Sequence, residues 1–290
     1  MESISTPKNT REILNKYGFQ FKKSLGQNFL IDDNILKKIV AEAGIDERTG
    51  VIEVGPGAGA LTQYLAQKAK NVVAFEIDRR LEPVLNETLK PYHNVEVIFQ
   101  DVMEADIQTV IQTHFKAAER VMVVANLPYY VTTPILFKFL EAAPLLEAMV
   151  VMVQKEVAER LEAKPGNKNY GSLSVAIQYQ ADVDILTVVP QSVFIPRPNV
   201  DSCVVKIQFL KEKRVHVDNE AFFFKVVRAA FAQRRKTLLN NLLHNLFDRS
   251  LKDEVLSALA ETGIDPGRRG ETLTIEEFAA LSKALLKLSQ

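Results

Sequence analysis

Asn126, Leu127, Pro128 and Tyr129 stand at the end of an unbroken apolar run, Val121 to Ala125. Such a run reads as a strand buried on both faces of a parallel sheet, and strands of this kind end at the edge where ligands bind. The tetrapeptide therefore delivers an amide oxygen, a main-chain carbonyl and an aromatic face to one crevice. Those are the groups needed to hold a flat base by its exocyclic amine.

Other apolar runs end in groups suited to a nucleoside. Glu53 to Gly59 reads EVGPGAG, and Gly55, Gly57 and Gly59 permit a sharp turn and a close ligand approach. The spacing is G-x-G-x-G, not the G-x-G-x-x-G of a pyrophosphate site, which favours S-adenosylmethionine (SAM) over a dinucleotide. Glu76 follows Gly55 by 21 positions at the end of VVAFEID, where a carboxylate can accept hydrogen bonds from both ribose hydroxyls. Asp101 closes VEVIFQD, where it can accept from an adenine amine.

The elements that must position these groups alternate. Gly50 to Val54, Asn71 to Ile77, Val95 to Gln100, Val121 to Ala125 and Ala148 to Val153 read as strands. Helical patterns lie between them near Leu61 to Lys68, Arg80 to Leu89, Ile107 to Phe115 and Ile135 to Glu141, after a first helix capped by Asp32 or Asp33. This alternation predicts a parallel sheet covered on both faces. Ile185 to Val189 and Asp201 to Phe209 add an antiparallel edge hairpin, giving a Rossmann-like α/β fold with a mostly parallel seven-stranded sheet. Beyond the charged stretch Leu210 to Glu220 every periodic segment is helical. Two domains are expected: residues 1–210, and an all-α domain over 211–290.

Composition bounds the function classes. With 47% apolar and 25% charged residues the chain is globular, and it has no apolar run approaching the roughly 18 residues of a membrane span. A soluble, cytoplasmic protein is expected, and no heptad or paired apolar stripe points beyond a monomer. Cys203 is the only cysteine and the four histidines lack ligand spacing, so neither disulfide nor metal is expected. The net charge of zero hides an asymmetry. From Val205 onward 15 Lys and Arg face 11 Asp and Glu, about +4, which leaves 21 against 25 before it. Arg234, Arg235 and Lys236 form a basic helix start that, with Lys22, Lys23, Arg268 and Arg269, can line a phosphate-binding surface.

Together SLGQNFL (24–30), EVGPGAG, FEID, QDVM, NLPYYVTTP, VFIPRPNVDS (193–202) and FAQRRKTLLNNL (231–242) resemble the motif set of the ribosomal RNA adenine N6,N6-dimethyltransferase family. The resemblance runs from about Thr10 to Phe278 with no motif missing. It implies SAM as methyl donor and S-adenosyl-L-homocysteine as product. It places Asn28, Leu30, Gly55 and Gly57 against SAM, Glu76 and the adjacent Ile77 at the ribose, Asp101 and the adjacent Val102 at the adenine, and Gln27 in the same pocket. It puts Asn126 between cofactor and target base, with Tyr129 and Phe194 stacking on that base from opposite sides. The implied substrate is a pair of adjacent adenosines in a hairpin loop near the 3′ end of 16S rRNA in the small ribosomal subunit.

An adenine amine is a poor nucleophile because its lone pair is delocalised into the ring. Hydrogen bonds from it to the Asn126 oxygen and the Leu127 carbonyl favour a pyramidal nitrogen aimed at the sulfonium methyl, and orientation of this kind is worth several kcal/mol. Two other readings use the same features: a ribosome-assembly factor that acts mainly by binding, and a methylase of 23S rRNA. A DNA adenine methylase usually has Pro where this chain has Leu127. No constellation for hydride transfer accompanies the glycine loop.

Overall fold

The computed structural model describes residues 4–22 and 25–288, so Lys23 and Ser24 lie outside the described residues. The chain forms two compact units, Met1–Ala158 with Asp184–Phe209, and Glu159–Val183 with Leu210–Gln290.

The first unit begins with a helix where none is expected from the sequence. Helix α1 (Pro7–Lys16) starts with Pro7 behind Thr6, whose side chain accepts from the Asn9 N–H. Only Thr10 and Leu14 of it are buried, too few apolar positions to register as a period. Then come β1 (Phe29–Leu30) and α2 (Asp33–Ala43). Asp32 caps α2 by accepting from the N–H groups of Asn34 and Ile35, both at 3.0 Å, and Gly44 closes it in the left-handed conformation.

The alternation is then as expected: β2 (Thr49–Val54), α3 (Ala60–Ala66), β3 (Asn71–Phe75), α4 (Glu82–Thr88), β4 (Val95–Ile98), α5 (Ile107–His114), β5 (Arg120–Asn126), α6 (Thr132–Glu141) and β6 (Ala148–Gln154). After α7 (Lys155–Glu162) and α8 (Ser172–Gln178) come β7 (Ala181–Val189), β8 (Phe194–Ile195) and β9 (Ser202–Phe209). The seven-stranded sheet has the order β4-β3-β2-β5-β6-β9-β7. Strands β2 to β6 are parallel, and β9 runs antiparallel to β6. Every residue of β2, and all but the last of β6, is buried, as a sheet covered on both faces requires. β1 and β8 form a separate two-stranded ladder that pairs Phe29 with Ile195 and Leu30 with Phe194. Two residues per strand is too short a pattern to read from sequence.

The second unit is helical, with α9 (Glu220–Phe231), α10 (Leu238–Asn245), α11 (Lys252–Glu261) and α12 (Ile275–Leu286) around a core that includes Phe223, Leu242, Leu259 and Phe278. The single boundary expected at residue 210 is corrected here, because residues 159–183 belong to this unit. The reason is aromatic packing: Tyr170 and Tyr179 are buried in the helical core, with the Tyr179 ring 5.2 Å from that of Phe223 and 5.5 Å from that of Phe224. No helix of the described residues is long and apolar enough to cross a membrane.

Candidate active site

The carboxyl ends of β2, β3, β4 and β5 and the segment before β1 enclose one cleft, and Glu76, Asp101 and Asn126 all line it. Gln27, Asn28, Gly55, Gly57, Ile77, Val102, Leu127, Pro128 and Tyr129 line it too. No Lys or Arg does.

The glycine turn after β2 is built as its sequence predicts. Gly55, Gly57 and Gly59 have φ of 71°, 58° and 88°, in the left-handed region. A Cβ at Gly57 would sit 2.9 Å from the Phe29 ring, so the bare backbone is what lets β1 close over the turn.

Glu76 is buried, and its carboxylate accepts from the N–H of Asp78 at 2.8 Å and of Gly57 at 3.4 Å. These bonds favour the ionised form, yet burial dominates and pushes the group up to about 7. Asp101 uses one oxygen to accept from the Met103 N–H at 2.9 Å, leaving the other for a ligand amine. Glu53, behind the glycine turn, is buried with its Oε2 unpartnered, and desolvation pushes it up to about 8.

At the end of β5, Asn126 Nδ2 donates to the Asn28 carbonyl at 3.0 Å. This fixes which end of the amide is spent: the nitrogen is anchored and the oxygen remains as acceptor. The Leu127 N–H donates to the Met152 carbonyl at 3.1 Å while its side chain is buried, so the turn is held by backbone and core together. Tyr129 is hydrogen-bonded through its hydroxyl to Ser202 at the start of β9, which orients its ring at the cleft wall. Gln27 acts as a clasp. It donates to Asp78 at 2.8 Å and accepts from the Lys22 N–H at 2.9 Å, while Asp78 also pairs with Arg80.

A sequence profile described as Ribosomal RNA adenine dimethylase matches residues 18–287. The chain belongs to the ribosomal RNA adenine dimethylase family. Among its similar relatives, the Ribosomal RNA small subunit methyltransferase A of Geobacillus sp. (strain WCH70) is 61% identical over 98% of both chains. Among solved dimethylase-like structures, a dimethyladenosine transferase from Plasmodium falciparum is 28% identical, with a TM-score of 0.73 over 90% of this chain and 97% of that one. The 23S rRNA methyltransferase ErmE is 26% identical, with a TM-score of 0.68 over 89% of this chain and 99% of that one.

Three expectations drawn from the dimethylase resemblance or from charge are corrected by the geometry. Phe194 does not line the cleft: its strand pairing with Leu30 turns it into the core, where it is 3% exposed. Leu30 is buried and lines a smaller adjoining cavity, shared with Glu53, Gly55, Gly57 and Asn126. Arg234, Arg235 and Lys236 are exposed but lie in the turn between α9 and α10, because Thr237 caps α10 and breaks the helix read from sequence. Arg268 is occupied, with its guanidinium bound to both Glu277 oxygens and to Thr272, whereas Arg269 is exposed. Lys22 is exposed, and Lys23 is outside the described residues.

The cleft also contains Gly26, Phe29, Met103 and Tyr130, none of them given a site role from sequence. A Cβ at Gly26 (φ 58°) would lie 2.8 Å from the Tyr130 ring, so the two segments close face to face. Gly26 sits within SLGQNFL, and its positive φ is the reason for glycine there. Among the described residues no group of His, Cys, Asp or Glu is placed to hold a metal.

Proposed function

We propose that this protein transfers methyl groups from SAM to the N6 nitrogens of two adjacent adenosines in a hairpin loop near the 3′ end of 16S rRNA in the small ribosomal subunit, working as a monomer in the cytoplasm and releasing S-adenosyl-L-homocysteine. The observation that carries this reading is the Asn126 amide, its nitrogen anchored on Asn28 and its oxygen free in a cleft that also holds Glu76 and Asp101. The 61% identity to a protein named for the small subunit, against 26% to ErmE, favours 16S over 23S rRNA.

The cleft suits the donor. Among the described residues its lining has two carboxylates and no cation, which suits a positively charged, phosphate-free nucleoside. Bound SAM supplies an electrophilic methyl carbon. Glu76, held by two backbone N–H groups, accepts from the ribose hydroxyls, and the free Asp101 oxygen accepts from the cofactor adenine. Asn126 and the Leu127 carbonyl hold the target amine by its hydrogens, and Tyr129 stacks on the base for about 1 to 3 kcal/mol once it has left its own stack. The acidic cleft holds a sulfonium more strongly than the neutral thioether product, which favours cofactor exchange between the two transfers.

The test is incubation of purified protein with unmethylated small subunits and labelled SAM. The expected product is N6,N6-dimethyladenosine at two adjacent positions; cofactor binding with no such product overturns the proposal. The exposed Arg234 to Lys236 turn favours an added role in subunit maturation through binding alone. An Asn126→Ala protein that cannot methylate yet restores maturation in cells lacking the enzyme would separate the two roles.

A further inference from the structure

Exposed apolar side chains scattered singly need no explanation, but those gathered around one cleft mark ground that a ligand covers. Three of them line the methyl-transfer cleft, each just past a strand end: Ile77 after β3 (51% exposed), Met103 after β4 (37%) and Tyr130 after β5 (54%). Glu76 and Asp101, the carboxylates assigned to the cofactor nucleoside, line the same cleft.

Tyr130 is held differently from its neighbour. The Tyr129 hydroxyl is tied to Ser202, whereas among the described residues nothing pairs with the Tyr130 hydroxyl. The main chain at this turn is fixed, because the Pro128 carbonyl accepts from the Val131 N–H at 3.3 Å and from the Thr132 hydroxyl at 3.0 Å. The Tyr130 ring meets Gly26 of the N-terminal motif, where a Cβ would fall 2.8 Å from it. A rigid backbone thus carries an aromatic ring that is half exposed and free to change rotamer. Partial burial, then the charges of Asp101 and Glu76, push its hydroxyl above the ordinary phenol value, so it sits on the side of those two carboxylates.

We propose that Tyr130 caps the cofactor site: its ring closes on Gly26 over the nucleoside of SAM or S-adenosyl-L-homocysteine, and swings away so that one can be exchanged for the other between the two methyl transfers. The cap rests on the reading of the cleft as the SAM site, and extends it by assigning retention of the nucleoside to one aromatic ring. That nucleoside is the part the two cofactors share. Loss of the ring should therefore speed the release of both alike, and leave the acidic lining to distinguish sulfonium from thioether.

The test is stopped-flow release of SAM and of S-adenosyl-L-homocysteine from purified full-length protein without RNA, comparing Tyr130→Ala with Tyr130→Phe. Tyr130→Ala should raise both off-rates by a similar factor, roughly 5- to 100-fold, the worth of one aromatic ring stacked on a base, and keep the wild-type KM for small subunits. Tyr130→Phe retains the ring and should retain the wild-type rates. Gly26→Ala, whose Cβ displaces the ring, should speed release more in the wild type than in the Tyr130→Ala background. Unchanged off-rates in Tyr130→Ala overturn the cap, and a raised subunit KM alongside them would make the ring a contact for the target base. An equal rise in Tyr130→Phe overturns it too. Wild-type protein that binds neither cofactor would instead overturn the reading beneath it.

Discussion

The side-chain nitrogen of Asn126, at the end of a core strand, donates to the main-chain carbonyl of Asn28, in a segment 98 positions earlier, at 3.0 Å. One bond thus selects the amide rotamer and ties the N-terminal motif to the turn after β5. Asn126→Ala removes both the acceptor and the tie. Methyl transfer should fall on the order of 10²-fold or more, as for a misplaced reacting group, while the fold persists. Single-turnover kinetics with circular dichroism as control checks this; near wild-type turnover would rule the role out.

Glu76 should make cofactor affinity depend on pH. Burial pushes its carboxylate up to about 7, and in the proposed site ribose hydroxyls would donate to the ionised form. Below pH 7 binding must expel a proton, so affinity weakens as pH falls, by up to about tenfold per pH unit. Titrations of SAM between pH 6 and 8 should show this slope in the wild type and a weaker, flat profile in Glu76→Gln.

Glu53 affects stability instead. Its folded value of about 8 lies above its ordinary 4.5, so its contribution is fully present below pH 4.5 and is lost as pH rises through 8. Glu53→Gln removes the charge that must form in the core. Relative to wild type the variant should gain stability between pH 5 and pH 9, by on the order of 3 to 5 kcal/mol. Urea unfolding at the two pH values measures it, and parallel curves for the two proteins would mean the acid is ionised throughout.

Gly57→Ala tests the closure of β1 over the glycine turn. The substitution places a Cβ 2.9 Å from the Phe29 ring at a φ of 58°. A loss of about 1 to 3 kcal/mol is expected from the strained backbone, with SAM affinity reduced as Phe29 is displaced. Calorimetry of folding and of SAM binding reads both.

Asn241, 1% exposed, is the staple of the basic turn. Its Nδ2 donates to the carbonyls of Ala230 at 2.9 Å and Gln233 at 3.1 Å, and its Oδ1 accepts from the Gln233 N–H at 3.2 Å. Asn241→Ala leaves those groups unpaired. It should cost about 1 to 3 kcal/mol and weaken subunit binding without altering the Kd for SAM. Intact subunit affinity would assign the amide to folding alone.

The sheet was legible because its strands are long, apolar and separated by clear helical periods, and the site residues at their carboxyl ends follow from that order. Glu76, Asp101 and Asn126 share one cleft, as their positions at strand ends require. What escaped was non-local. Phe194 carries the same aromatic signal as Tyr129, and only its pairing with Leu30 decides that it faces inward. Arg268 and Arg269 are adjacent and alike in sequence, but Glu277 engages one and not the other. Glu53 sits in a motif read for its glycines, and its raised pKa comes from burial that no spacing encodes.

The ladder between β1 and β8 has only two paired positions, yet it brings together segments from the two ends of the first unit. A chain still emerging from the ribosome can already possess the glycine turn and both carboxylates while lacking the partner that seats Leu30. The β1 segment therefore gains its strand partner only late in synthesis, when Phe194 arrives.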